Sequence, residues 1–129
     1  MPPVFLSLEE ILEIHRDQIE RYGGSQGLRD LGLLESALAM PQGGMGGQFF
    51  HADLFEMAAA YLFHLVKNHP FVDGNKRVGA MAAFTFLKLN GLNLNPSDGP
   101  AFEKIALSIA EGTGGKTEAT AFFRKHARP

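Results

Sequence analysis

Three observations predict an all-α fold, a compact single domain of about six helices around a buried central one. Apolar residues recur at three- and four-residue intervals through most of the chain, the period of a helix with one face against a core. Capping residues, Ser7, Asp30 and Asp53, stand directly before three of those periodic segments. No segment of convincing length alternates apolar and polar residues in the period of two that marks a half-buried strand.

The elements follow in order. Ser7 and Glu10 have the spacing of a capping box, and Leu8, Ile11, Leu12, His15 and Ile19 carry the apolar stripe of a first helix that ends near Gly23-Gly24. Asp30 caps a second, shorter helix with Leu31, Leu34 and Leu38 inward and Pro41 as its stop. Four glycines within residues 42–48 forbid a stable helix and allow a mobile loop or a small hairpin, either a flap beside the segment that follows or a plain linker. Asp53 and Glu56 repeat the capping arrangement, and Leu54, Met57, Ala58, Tyr61, Leu62 and Leu65 run down a third helix toward Asn68. After residue 77, Val78, Met81, Ala82, Thr85 and Leu89 keep helical spacing with few polar positions between them, which makes this fourth helix the buried centre. Ser97 or Asp98 with Pro100 opens a fifth helix with Phe102, Ile105, Ala106, Ile109 and Ala110 as its stripe, ended by Gly112. Thr117 caps a last short helix through Phe122 and His126.

Bulk numbers narrow the function classes. A length of 129 residues suits one domain. Hydrophobic content of 45% and charged content of 20% are those of an ordinary globular protein. A formal net charge of −2, with no helix carrying a row of basic residues, argues against a direct nucleic-acid surface. No apolar run is long enough to span a bilayer, and Met1-Pro2-Pro3 has neither the basic nor the apolar region of a signal peptide, so no membrane role and a cytoplasmic location are expected. Without cysteine, the chemistry falls to histidine, carboxylates and hydroxyls.

Those groups concentrate in His69-Pro70-Phe71-Val72-Asp73-Gly74-Asn75-Lys76-Arg77, just ahead of the fourth helix. Pro70 moves His69 out of the right-handed helical region, so the third helix ends there and the histidine projects from a loop. A neutral imidazole near its ordinary pKa of about 6.5 can take a proton from a hydroxyl, a role worth about 10²- to 10⁴-fold in rate. Zinc is the competing use, but His64 and His69 are five apart and miss the spacing of a helical metal pair. His15, on an apolar stripe, and His51 and His126, alone in sequence, read as structural or surface residues. Phe71 is an apolar peg for the loop, a use compatible with an ordinary core aromatic. Asp73 before Gly74 is either a turn former or a hard carboxylate that can hold Mg²⁺. Gly74 to Arg77 enter a helix whose first N–H groups lack internal partners, which makes an anion site. Asn75 can brace the loop with its amide, while Lys76 and Arg77 oppose the helix dipole, a conflict that a bound anion would relieve.

His69 to Arg77 resembles the active-site motif of the Fic/Doc family, H-x-F-x-(D/E)-G-N-(G/K)-R, at its seven specified positions. The likeness continues in Arg21-Tyr22-Gly23-Gly24-Ser25, Leu28-Arg29-Asp30 and Gly32-Leu33-Leu34-Glu35-Ser36-Ala37-Leu38, which are similar to the death-on-curing branch. The resemblance implies a compact helical toxin of a type II toxin–antitoxin pair. Its reaction would move a phosphate-containing group from a nucleotide, ATP or another triphosphate, with Mg²⁺, to a Ser or Thr hydroxyl of a protein. By the same resemblance the target is elongation factor Tu and the outcome inhibited translation. His69 would be the base, Asp73 the metal ligand, and Gly74, Asn75, Lys76 and Arg77 the phosphate cradle.

Two positions bear on which group moves. AMP-transferring members resemble H-x-F-x-(D/E)-G-N-G-R-x-x-R; here Lys76 replaces the loop glycine and Ala80 the second arginine, which implies kinase chemistry. Asp73-Gly74, in contrast, follows the AMP-transferase pattern, so protein adenylylation is the alternative. A non-catalytic binding module would not need His69, Asp73 and Arg77 together. The inhibitory (S/T)-x-x-x-E-(G/N) helix of many members has its nearest match in Ser108-Ile109-Ala110-Glu111-Gly112, one residue too short, which implies restraint by a separate antitoxin protein.

Overall fold

The computed structural model describes residues 2–129; Met1 lies outside them. Six α-helices and one small hairpin are described: α1 (Leu8–Tyr22), α2 (Leu31–Ala39), β1 (Gly44–Met45), β2 (Gln48–Phe49), α3 (Leu54–Asn68), α4 (Asn75–Leu89), α5 (Gly99–Glu111) and α6 (Lys116–His126). The all-α expectation holds, with the glycine-rich segment forming the small antiparallel hairpin, Gly44 paired with Phe49 and Met45 with Gln48. Among the described residues no helix is long and apolar enough to cross a membrane.

Caps set most helix starts. Ser7 Oγ accepts from the Glu10 amide while Glu10 Oε1 accepts from the Ser7 amide, the reciprocal pair that satisfies two orphan donors. Asp30 and Asp53 accept from the Leu33 and Glu56 amides. Two starts differ from expectation. A 3-10 turn at Pro96–Asp98, capped by Asn95, leads into α5, whose Asp98 makes no side-chain cap. Thr117 lies inside the first turn of α6, because Glu118 reaches back to the Gly115 amide and sets the helix cap two residues earlier.

α3 and α4 pack together most extensively, and α1, α2, α5 and α6 surround them. Ala58, Ala59, Ala60, Ala82 and Ala83 are fully buried, and α4 approaches α3 so closely at Gly79 that a Cβ there would lie 3.1 Å from the Leu62 carbonyl oxygen. Tyr61, Leu62, Leu65, Val78, Phe86 and Leu87 fill the remaining volume. The inward face of α4 is therefore Val78, Ala82, Ala83, Phe86 and Leu87; Leu89 is 47% exposed, contrary to its place in the expected stripe. Leu31, also expected inward, is the first residue of α2 and is 46% exposed. Ala110 is exposed as well.

Side-chain amides tie the ends down. Asn90, after α4, accepts from the Val4 amide and donates to the Val4 carbonyl, while Tyr61 Oη accepts from the Leu6 amide. The segment before α1 is thereby fixed to the far end of the α3–α4 pair, leaving the Asn68-to-Asn75 connection at the other end.

Candidate active site

The connection from α3 to α4 begins with an unusual backbone. α3 ends at Asn68, and His69 caps it with φ 51° and ψ 53°, the one non-glycine positive φ among the described residues. Proline leads its preceding residue to extended conformations. His69 leaves the right-handed region as expected, yet it enters the left-handed one, which costs a residue bearing a Cβ roughly 1–2 kcal/mol. Arg29 meets that turn directly: Nε donates to the His69 carbonyl at 2.7 Å and Nη2 to the Asn68 carbonyl at 3.1 Å. The His69 ring is exposed and makes no hydrogen bond among the described residues.

The next residues are fastened from both sides. Segment 27–30 runs antiparallel beside 70–72, with the Arg29 and Asp30 amides donating to the Pro70 carbonyl and the Val72 amide donating to Gly27. Phe71 is 1% exposed and its ring stacks on His15, centroids 3.9 Å apart and planes 7° from parallel. His15, 4% exposed, also hydrogen-bonds through Nε2 to the Asp73 carbonyl at 2.9 Å, which identifies Nε2 as the protonated nitrogen. Asn75 closes the loop by accepting from the Phe71 amide and donating to the Phe71 carbonyl, each at 2.9 Å. Its side chain is thus turned inward, leaving its main-chain N–H at the helix start.

Asp73 faces solvent with both carboxylate oxygens engaged, Oδ2 by the Ser25 amide at 3.1 Å and Oδ1 by the Gly74 amide at 2.8 Å. Those two donors, followed by the nearby Arg77 charge, hold its pKa below the usual carboxylate value. An ionised carboxylate with lone pairs to spare remains. Gly74 takes φ 80° to start α4, and no side chain caps the helix. The Gly74 N–H is occupied by Asp73, so the amides presented at the helix start are those of Asn75, Lys76 and Arg77. Gly24 presses close to this corner: a Cβ there would lie 2.6 Å from Asp73 Oδ2 and 3.0 Å from Arg77 Nη2.

The two cations differ. Arg77 Nη1 donates to the carbonyl of Gly23 at 2.9 Å and of Gln18 at 3.4 Å, so the C-terminal carbonyls of α1 relieve its conflict with the α4 dipole. Lys76 is exposed and makes no hydrogen bond or ion pair among the described residues. Both line a cleft of about 800 Å³ whose walls include Gln18, Tyr22, Ala80, Met81, Phe84 and Phe102. His69 and Asp73 stand outside that lining.

As a metal site, Asp73 offers one hard, ionised oxygen donor, and no group of three or more His, Asp or Glu side chains is arranged for a metal among the described residues. That donor set fits Mg²⁺ completed by phosphate and water oxygens, and lacks the closed nitrogen shell of a zinc site. His64 is directed elsewhere, with Nε2 3.1 Å from Lys116 Nζ. Arg29, Ser25 and His15 reach the loop without having been marked as site residues. Segment 25–30 carried turn and capping signals and, in Ser25 and Arg29, part of the family resemblance, but nothing that tied it to the loop, and His15 was legible just as a polar break in an apolar stripe.

A family model described as "Fic/DOC family" matches residues 5–87. A protein named "Toxin Doc" from Mycolicibacterium smegmatis is 47% identical over 73 residues, covering 57% of this chain and 56% of that relative, little more than half its length. A protein named "Protein kinase doc" from Escherichia phage P1 is 34% identical over 107 residues, covering 83% of this chain and 82% of the relative. With the family model matching most of the chain and the phage relative aligned over four-fifths of it, the chain belongs to the Fic/DOC family.

Proposed function

We propose that this chain is the toxin of a type II toxin–antitoxin system and that it transfers the γ-phosphate of ATP to a Ser or Thr hydroxyl of a protein, elongation factor Tu by family resemblance. The observation that carries the reading is the arrangement at the start of α4. There an exposed histidine, an ionised aspartate, uncapped helix amides and an unpaired lysine meet within nine residues. The names of the two relatives, a toxin and a protein kinase, support it.

In this reading His69 accepts the proton of the incoming hydroxyl, whose oxygen attacks the γ-phosphorus while the bond to the β-phosphate oxygen breaks and ADP leaves. The amides of Asn75, Lys76 and Arg77 and the Lys76 ammonium hold the non-bridging oxygens and stabilise charge as it develops. Gly74 permits the tight helix start, and Phe71 and the Asn75 side chain keep the loop from moving. Asp73 would hold Mg²⁺, which when bound disperses phosphate charge. The cleft beside Lys76 and Arg77 has room for the rest of the nucleotide.

AMP transfer is the second reading, favoured by Asp73-Gly74. Ala80 speaks against it, since it lines the cleft at the position where AMP transferases carry a second arginine. ATP labelled at the α or the γ position, incubated with the protein, Mg²⁺ and elongation factor Tu, separates them: γ-label on the acceptor is expected, and α-label would establish adenylylation. The antitoxin is a partner by the same reading, because Ser108–Gly112 forms the ordinary end of α5, with the Thr113 and Gly114 amides closing onto the Ser108 carbonyl.

A further inference from the structure

We infer that Arg29 is a positioning residue for the His69 imidazole, an inference that rests on the base role proposed above. The direction of the His69 Cα–Cβ bond is set by a left-handed backbone that neither its own Cβ nor the following proline favours. Something must hold that conformation, and the contacts at the turn identify it. The Arg29 guanidinium grips the carbonyls of Asn68 and His69 together, one on each side of the His69 φ and ψ torsions. A planar fork suits this task, because two N–H bonds in fixed relative orientation restrain the angle between two carbonyls where a single donor cannot.

Arg29 is itself anchored. Its amide donates to the Pro70 carbonyl at 2.7 Å, so the carbonyls of three successive residues, Asn68, His69 and Pro70, are all bound by one arginine. Asn68 Nδ2 in turn donates to the Leu33 carbonyl, tying the end of α3 to α2. Arg29 forms no ion pair with a carboxylate among the described residues, so its charge serves the end of α3, where orphan carbonyls and the negative end of the dipole favour a cation. Removing the fork lets residue 69 relax toward the extended region, and the ring swings away from an acceptor hydroxyl. The phosphate cradle, fastened separately by Asn75 and His15, keeps its shape.

The test compares Arg29→Ala and Arg29→Lys with the natural protein. For γ-phosphate transfer to elongation factor Tu, Arg29→Ala lowers kcat about ten- to a hundredfold, the scale of a misplaced reacting group, with KM and Kd for ATP within about twofold. Arg29→Lys, with charge but no fork, recovers part of the loss. His69→Ala runs beside them: wild-type transfer by that variant would remove the base role itself, whereas an inactive His69→Ala with wild-type kcat in Arg29→Ala would overturn this inference alone. An NMR arm needs no acceptor protein. Backbone couplings and Cα and Cβ shifts of His69 report its φ, and Arg29→Ala is expected to lose the positive value while the thermal melt stays cooperative; a retained positive φ overturns the inference.

Discussion

The side-chain amide of Asn75 binds both main-chain groups of Phe71, Oδ1 accepting from the Phe71 N–H and Nδ2 donating to its carbonyl, each at 2.9 Å. The pair is buried, Asn75 at 6% and Phe71 at 1% exposure, so no water stands ready to replace either bond. It couples the last buried residue of the loop to the first residue of α4. Asn75→Ala leaves a buried donor and a buried acceptor unsatisfied and is expected to cost about 2–4 kcal/mol of stability in denaturant unfolding. Asn75→Asp sets a carboxylate oxygen against the buried Phe71 carbonyl in place of a donor, so its loss at neutral pH is expected to be at least as large as that of Asn75→Ala.

His15 touches the same loop twice, by its stack on Phe71 and its bond to the Asp73 carbonyl. His15→Phe retains the stack and deletes the hydrogen bond. A loss of about 1 kcal/mol in stability is expected, with a fall in phosphate transfer larger than the fall in ATP affinity. Equal activity of the two proteins would show that the Asp73 carbonyl needs no partner.

The helices and their caps were readable because each depends on neighbours a few residues away: Ser7 with Glu10, Asp30 with the Leu33 amide, Asp53 with the Glu56 amide. The motif from His69 to Arg77 was readable as a concentration of chemistry. The long-range contacts that hold it in shape were not, because Arg29 and His69 are 40 residues apart and His15 and Asp73 are 58 apart. Periodicity also misjudged element ends: Leu31 and Leu89 have core-like spacing, yet each is a terminal residue of its helix and nearly half exposed. The left-handed His69 ran against the local rule for a residue before proline, and such departures gather where a site requires them.

Gly24 has φ +118° and lies where any Cβ would press on the Asp73 carboxylate and the Arg77 guanidinium. Gly24→Ala is expected to lower transfer at least about tenfold by displacing groups next to the reacting centre. Gly46→Ala, also at positive φ but with nothing within 4 Å of its Cβ, serves as the comparison, with strain and no steric intrusion at the site. Equal loss in both variants would assign the effect to backbone strain.

Burial first, and then the Lys116 and His51 charges, push the His64 pKa down to about 4. Its folded value lies below the unfolded one of about 6.5, so the unfolded chain binds the extra proton between those values. The contribution of neutral His64 is therefore full above about pH 6.5 and declines as pH falls toward 4, by on the order of 1–2 kcal/mol after discounting for partial exposure. Thermal melts across that range should show Tm falling with acid, and His64→Gln should flatten this slope. An unchanged slope would mean that other groups carry the acid sensitivity.

The most direct measurement on the central claim pairs ATP binding with γ-phosphate transfer in His69→Ala. ATP affinity close to that of the natural protein, with transfer to elongation factor Tu reduced by about 10²-fold or more, is the expected result, because in the proposed reading the helix start holds phosphate independently of the imidazole. Transfer at the natural rate by a protein without the His69 ring would contradict the account.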